Sequence, residues 1–300
     1  MELTIKVEVN KTVERKTTPV PLFLKGNRLG FLIISLILLN TASAQVQEEW
    51  FPSGLNIKPF KANFLEPKQG FSFMQGESKL RLDISTSEDI YRKEDGNSTF
   101  SFGGDLFTFT RLRAENDFHF PVEAIDYLFG FNGGYKITNE NDEYGFRLRF
   151  SHISAHLVDG DFDNTIMNWR AGDQSRVYSR EFLELMPYYK YKDLRTYVGL
   201  TYLVHVIPNT IGRGIYQAGF EYYMNWIKSP IFVPYVAYDF KLDKIGSYTG
   251  NNIFTAGIKL GKPFEKGFTL AYSYFSGKSV QGEYYDRNES YSTLGFNLDL

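Results

Sequence analysis

The feature that most constrains this chain is a two-residue rhythm held over stretches much longer than a turn. In "LRTYVGLTYLVHVI", Leu194, Thr196, Val198, Leu200, Tyr202, Val204 and Val206 share one face. Arg195, Tyr197, Gly199, Thr201, Leu203 and His205 share the other. "GIYQAGFEYYMNWI" repeats the pattern. Tyr216, Ala218, Phe220, Tyr222, Met224 and Trp226 lie on one side, with Gln217, Gly219, Glu221 and Asn225 opposite. Side chains that alternate with period two define a strand. "YVAYDFKLD", "NIFTAGIKLG", "GFTLAYSYF" and "STLGFNLDL" follow the same rule. No comparably long stretch has helical periodicity.

A soluble β-sandwich also alternates, so the choice of architecture needs more. The strands approach the 9–11 residues that a tilted membrane crossing requires. Aromatic residues are 17% of the chain and gather near strand ends, like an interfacial girdle. The opposite face carries Glu, Asn, Arg and Lys, which a sandwich core could not bury without partners. The expected fold is therefore all-β, an antiparallel transmembrane β-barrel of about 12 strands (10–12). Eleven strands are clear, and "QGFSFMQ" supplies the twelfth, since an even number is usual. Counted back from Leu300, long connections (Gly277 to Glu289, Asp243 to Asn251, His156 to Arg176) alternate with short ones (Lys262 to Gly267, Lys192-Asp193, Asn139 to Asp142). In the closing "LGFNLDL", Leu294, Phe296, Leu298 and Leu300 share a face, which resembles the C-terminal signal for barrel insertion.

"KGNRLGFLIISLILLNTASAQ" reads as a secretory signal peptide. Lys25 and Arg28 precede the apolar run Phe31 to Leu39, and Ala42-Ser43-Ala44 supplies the small-residue cleavage site. The expected division is 1–44 as polar lead and signal, 45–68 as a periplasmic N-terminal extension or plug-like lead-in, and 69–300 as the barrel. The expected location is the outer membrane of a diderm bacterium, after Sec-type export. Mean hydropathy of −0.30 argues against a helical membrane protein. The chain has no cysteine, which excludes disulfides, thiolate metal sites and a thiol nucleophile. A net charge of −2 lacks the basic footprint of a nucleic-acid binder. No cofactor is expected. The expected partners are outer-membrane lipids and the barrel-assembly machinery, and the expected state is a monomer.

The stretches "SHISAHLVD", "YSREFLELMPYY", "RTYVGLTYLV", "GRGIYQAGFEY" and "YSYFSGKSVQGEYYDRNESYSTLGFNLDL" cover most of His152 to Leu300. They resemble a bacterial domain-of-unknown-function family of outer-membrane β-barrel-like envelope proteins. The resemblance implies the barrel and the membrane, and no activity.

One segment invites chemistry. In "YGFRLRFSHISAH", Phe146, Leu148 and Phe150 share a face, and His152, Ser154 and His156 continue it. The strand runs outward, so the trio is expected on the lipid side near the outer leaflet. This is similar to the His-x-Ser pair of outer-membrane lipid esterases, in which an imidazole takes the serine proton during attack on an ester. Asp163 and Asn164 are the candidate orienting groups, with Asn168 beside them. The pattern departs from those esterases at Ala155, where an Asn is expected, and at Ile166, where an orienting group is expected. The favoured reading is a membrane-boundary segment in an envelope protein of structural or small-pore role, and the alternative is the lipid esterase. "DGDFDN" begins with EF-hand spacing at Asp159, Asp161 and Asp163. It fails where Asn164 replaces Gly and Arg170 replaces Glu. Arg180 is a candidate partner for a carboxylate, and Arg176 for a lipid phosphate. Arg147, Arg149, Glu181, Glu184 and Glu221 are assigned to the lumen, as ion pairs filling a narrow barrel or as a charged constriction.

Overall fold

A computed structural model of the chain describes residues 46–299. The expected signal peptide, Met1 to Ala44, and Leu300 lie outside the described residues. The strands are β1 (Gln47–Trp50), β2 (Gln69–Met74), β3 (Lys79–Asp95), β4 (Ser98–Arg113), β5 (Val122–Thr138), β6 (Asp142–Leu157), β7 (Phe162–Asp163), β8 (Asn168–Trp169), β9 (Tyr178–Tyr191), β10 (Leu194–Ile207), β11 (Gly214–Tyr223), β12 (Phe232–Ile245), β13 (Ser247–Leu260), β14 (Gly267–Lys278) and β15 (Asn288–Asp299). The pair β7–β8 is a small ribbon inside the β6–β9 loop. The remaining strands form one antiparallel sheet, which the β3–β4 pairing closes into a ring. Strand β1 adds to β3 outside that ring, so the barrel has twelve strands. "QGFSFMQ" contains β2, which joins β15 to β3. Closure pairs the backbone within the sheet, as a chain crossing hydrocarbon must.

Alternation sets the two faces. Phe131, Phe150, Leu185, Leu200 and Phe254 point out and are exposed, while their strand neighbours are buried or half-buried. So extensive an outward apolar surface belongs in hydrocarbon. Leu294, Phe296 and Leu298 of β15 point the same way. Two details differ from the reading of the sequence. Strands β3 to β6 run for 16 or 17 residues, longer than a bare crossing, and β3 ends in the charged run Arg92 to Asp95. The connection at Asp243 to Asn251 is no loop. Both strands continue to a single turn residue, Gly246, at φ +74°, a backbone geometry that only glycine adopts without cost.

The segment 46–68 runs from the edge of the sheet into the barrel. Its start, β1, pairs with the turn end of β3. The chain then enters the lumen, where Leu55, Ile57, Phe60, Phe64 and Glu66 are buried. The physical reason is mutual need: inward arginines require acceptors, and the segment's aromatics require cover. Arg195 donates to the carbonyls of Lys58 (2.9 Å) and Pro59 (2.5 Å), and its guanidinium lies 4.5 Å from the Phe60 ring centroid. Lys61 pairs with Asp299, and Lys241 donates to Asn63 Oδ1 at 2.7 Å. Glu66 accepts a bidentate pair of hydrogen bonds from Arg147, at 2.7 and 2.6 Å. At the loop end the β14–β15 connection folds over the mouth. Gly282 N–H donates to Asp126 Oδ2 (2.8 Å), and Gln281 Nε2 donates to the Phe109 carbonyl (3.0 Å). Cavities of ≈ 160 and ≈ 90 Å³ both touch Phe64, and a pocket of ≈ 450 Å³ opens beside Leu55 and Asn56 at the turn end.

Candidate active site

Strand β6 carries the opening trio. Ser151, Ile153 and Ala155 are buried on the lumen side, so His152, Ser154 and His156 face outward. Ala155 is the wall against which the β14–β15 loop packs: a Cβ at Gly282 would fall 2.6 Å from Ala155 Cβ. A polar side chain at 155 would face the lumen, away from lipid.

Register decides what meets His152. On one side β5 places Phe129 opposite His152 and Tyr127 opposite Ser154. The Phe129 ring lies 4.9 Å from His152, and the Tyr127 ring lies 5.8 Å from His156. On the other side β9 places Glu181 opposite His152 and Ser179 opposite Ser154. Glu181 Oε1 lies 2.6 Å from His152 Nδ1. Its second oxygen, Oε2, lies 2.7 Å from Nδ1 of His205 on β10. The row His152–Glu181–His205 thus runs straight across three neighbouring strands. Ser154 Oγ sits one step toward the loop end, 3.4 Å from His156 Nε2.

This corrects one lumen assignment. Glu184 lies inward, where it accepts from Arg147 (3.1 Å) and Arg149 (3.3 Å). Glu181 is three residues earlier, so alternation puts it on the opposite, outward face. Arg147, Arg149, Glu184 and Glu221 do face the lumen, where Glu221 pairs with Arg195. A second correction concerns β10. Pairing slips between Leu203 and His205, a β-bulge with Val204 as the extra residue. Leu203 and Val206 become buried, while Val204 and His205 both turn outward. Strict alternation had put His205 inside and Val206 outside, and a bulge re-aims side chains in this way.

The orienting groups expected from the sequence do not reach His152. Asp163 accepts from the Thr165 N–H (2.9 Å) and pairs with Arg170 (3.0 Å), and Asn164 is exposed in the loop. Asp161 of the same "DGDFDN" run is buried, with its carboxyl pushed up to about 6 by burial and by the neighbouring Asp173 and Glu123. Arg176 donates to Asp286 (2.8 and 3.0 Å) and to the Glu283 carbonyl (2.7 Å), tying the long loop to the β14–β15 loop. Arg180 turns inward against Tyr178 and Phe182.

Chemically the outward face sets Ser154 between His152, which contacts the Glu181 carboxylate, and His156, which contacts the serine hydroxyl. A carboxylate at Nδ1 fixes the tautomer that leaves Nε2 as the base.

The fold has known relatives. Outer membrane phospholipase A from Escherichia coli matches with a TM-score of 0.51 at 14% identity, over 79% of this chain and 92% of that one. An active-site mutant of the same protein matches at 0.52 and 14% identity, over 82% and 92%. The β domain of the Bordetella autotransporter BrkA matches at 0.40 and 13% identity, over 78% and 100%. At 14% identity the likeness to the two phospholipase structures shows the fold alone, that of an outer-membrane β-barrel. None of the curated proteins matches the chain. The model of a family described as "Protein of unknown function (DUF1207)" matches residues 126–299, more than half of the chain, from within β5 to the end of β15. The chain belongs to that family.

Proposed function

We propose that this protein is a lipid ester hydrolase of the outer membrane, working from the outward face of its barrel. Ser154 is the nucleophile, His152 the general base and Glu181 the group that orients it. The observation that carries the reading is the 2.6 Å contact between Glu181 and His152 Nδ1, on the face that also presents Ser154. An unsupported histidine at a membrane boundary would have no need of it. The segment from Leu55 to Glu66 that occupies the lumen supports the same reading, because the outward face is then the more open surface for a lipid. The likeness in fold to a phospholipase adds to it.

Ser154 Oγ attacks the ester carbonyl while His152 Nε2 takes its proton. The tetrahedral centre collapses to an acyl-serine, and the departing alcohol receives that proton. Water, activated by His152, then releases the fatty acid. Phe146, Leu148 and Phe150 lie below the serine on the same face, where acyl chains would lie. An ester at the headgroup boundary then sits level with Ser154. This requires the loop end to face the cell exterior, with the chain exported before insertion, and it needs one chain only. Outer-membrane lipids would be both solvent and substrate.

The test is fatty-acid release from phosphatidylethanolamine, and separately from lipopolysaccharide, by the purified full barrel in detergent micelles. Wild type is expected to hydrolyse one of them. Ser154→Ala and His152→Ala are expected to lose at least about 10³-fold while keeping their heat-modifiable gel mobility. Wild type no faster than the micelle blank on both lipids would overturn the proposal.

A further inference from the structure

We infer that His205 is a positioning residue for this site, brought to it by the β-bulge at Val204. The inference rests on the proposed hydrolase reading. Glu181 has two oxygens and two histidine neighbours. Oε1 lies 2.6 Å from His152 Nδ1, and Oε2 lies 2.7 Å from His205 Nδ1. For both contacts to be hydrogen bonds to a carboxylate, each ring carries its proton on Nδ1. Nε2 of each is then a free lone pair, which for His152 is the state a general base needs. His205 adds restraint. The terminal torsion of a glutamate is broad, and one bound oxygen leaves the group free to swing toward the loop end and water. Two bonds pulling in opposite directions along the same row hold it flat against the sheet.

The bulge is what makes this possible. In an unbroken β10, His205 would point into the lumen with Leu203. One extra residue turns it out beside Val204, and the ladder resumes with His205 opposite Glu181 and Val206 opposite Arg180. The irregularity is itself secured. Arg213, at the start of the next hairpin arm, donates from Nη1 to the Val204 carbonyl at 3.1 Å, and its own carbonyl accepts from Leu203 N–H at 2.8 Å. Bulges re-aim side chains next to functional sites, and this one is capped where it leaves a carbonyl without its ladder partner. A surface histidine kept only for comfort at the membrane boundary would need neither the bulge nor the arginine.

The experiment compares wild type, Ser154→Ala, His205→Ala and His205→Gln as full chains in detergent micelles with phosphatidylethanolamine, measuring kcat and KM separately. Glutamine can offer an amide N–H to Glu181 from the same place. The expected result is that His205→Ala lowers kcat about 10-fold with KM within about twofold, while His205→Gln recovers most of kcat. A role in lipid binding would move KM instead and overturn the inference. So would unchanged kcat in His205→Ala with wild type active and Ser154→Ala dead, and that result would leave the hydrolase reading intact. Equal losses in the Ala and Gln variants would also count against it, because a donor at that position would then be irrelevant. Wild type without activity would remove both readings together.

Discussion

Two glutamates three residues apart on β9 have opposite fates. Glu184 points inward and bridges Arg147 and Arg149, with its side chain 2% exposed. Glu181 points outward and bridges His152 and His205, with its side chain 31% exposed. Both are carboxylates held between two nitrogen bases. The inner one is surrounded by cations that cannot be deprotonated, so its arrangement is static and serves to fill the barrel. The outer one faces two imidazoles, the side-chain type used as a general base, which is what the proposed hydrolase requires of it. Side-chain parity along one strand gives the same residue type a buried, barrel-filling place in one case and an outward place beside histidines in the other.

The comparison breaks most visibly in stability. Glu184→Ala leaves two buried guanidiniums short of an acceptor and should cost about 3–5 kcal/mol. Glu181→Ala, on the headgroup side of the lipid face, should cost under about 1 kcal/mol. Urea unfolding of the refolded barrel, followed by gel mobility, measures both. Equal costs would mean that the two carboxylates do the same work.

A second pair tests parity where no chemistry intervenes. Phe296 faces lipid, whereas Asn297 faces inward and donates to Asp299 Oδ1 at 3.0 Å. Phe296→Asp should impair assembly by about 2 kcal/mol, and Asn297→Asp should be tolerated better. The folded fraction after refolding into lipid vesicles reads this directly.

Glu181→Gln sharpens the contrast by changing charge without shape. The amide carbonyl can still accept from His152 Nδ1, but the imidazolium formed during catalysis loses its counter-charge. Hydrolysis should fall about 10-fold with no change in urea midpoint, whereas Ser154→Ala abolishes it.

Much of this was legible from the chain. Period-two alternation defines the strands, and "QGFSFMQ" does supply the twelfth. Continuing by twos from Phe150 puts His152 and Ser154 outside, as the structure has them. The orienting group was not legible. A loop of twenty residues separates β6 from β9, and its length does not specify which residue of β9 faces His152. Candidates close in sequence, Asp163 and Asn164, were therefore preferred to Glu181, which is close in space. The parity of Glu181 was available by counting three back from Glu184, yet grouping charges by type put both inside. His205 was beyond reach, because a bulge leaves no mark in the alternation except the break it causes. The lumen segment was half legible: "WFPSGLNIKPFKANFLEPK" is too apolar for a solvated linker, but only the inward arginines explain its path.

The smallest effect concerns the loop over the site. Asp161 has its carboxyl raised to about 6 by burial and by Asp173 and Glu123, so its protonated form is the one the folded loop favours. The stabilisation it gives is present below about pH 4 and is lost as pH rises through about 6. Protease cleavage within 158–177 should therefore become easier from pH 4 to pH 7 in wild type, and the profile should flatten in Asp161→Asn.

Whether outward parity makes Ser154 a supported nucleophile is read by a covalent probe that assumes no substrate. A long-chain alkyl fluorophosphonate is incubated with the folded barrel in micelles, and the adduct is located by peptide mass spectrometry. Modification is expected at Ser154 in wild type, with labelling at least about 100-fold slower in His152→Ala. Absence of label at Ser154, or equal labelling of wild type and His152→Ala, would contradict it.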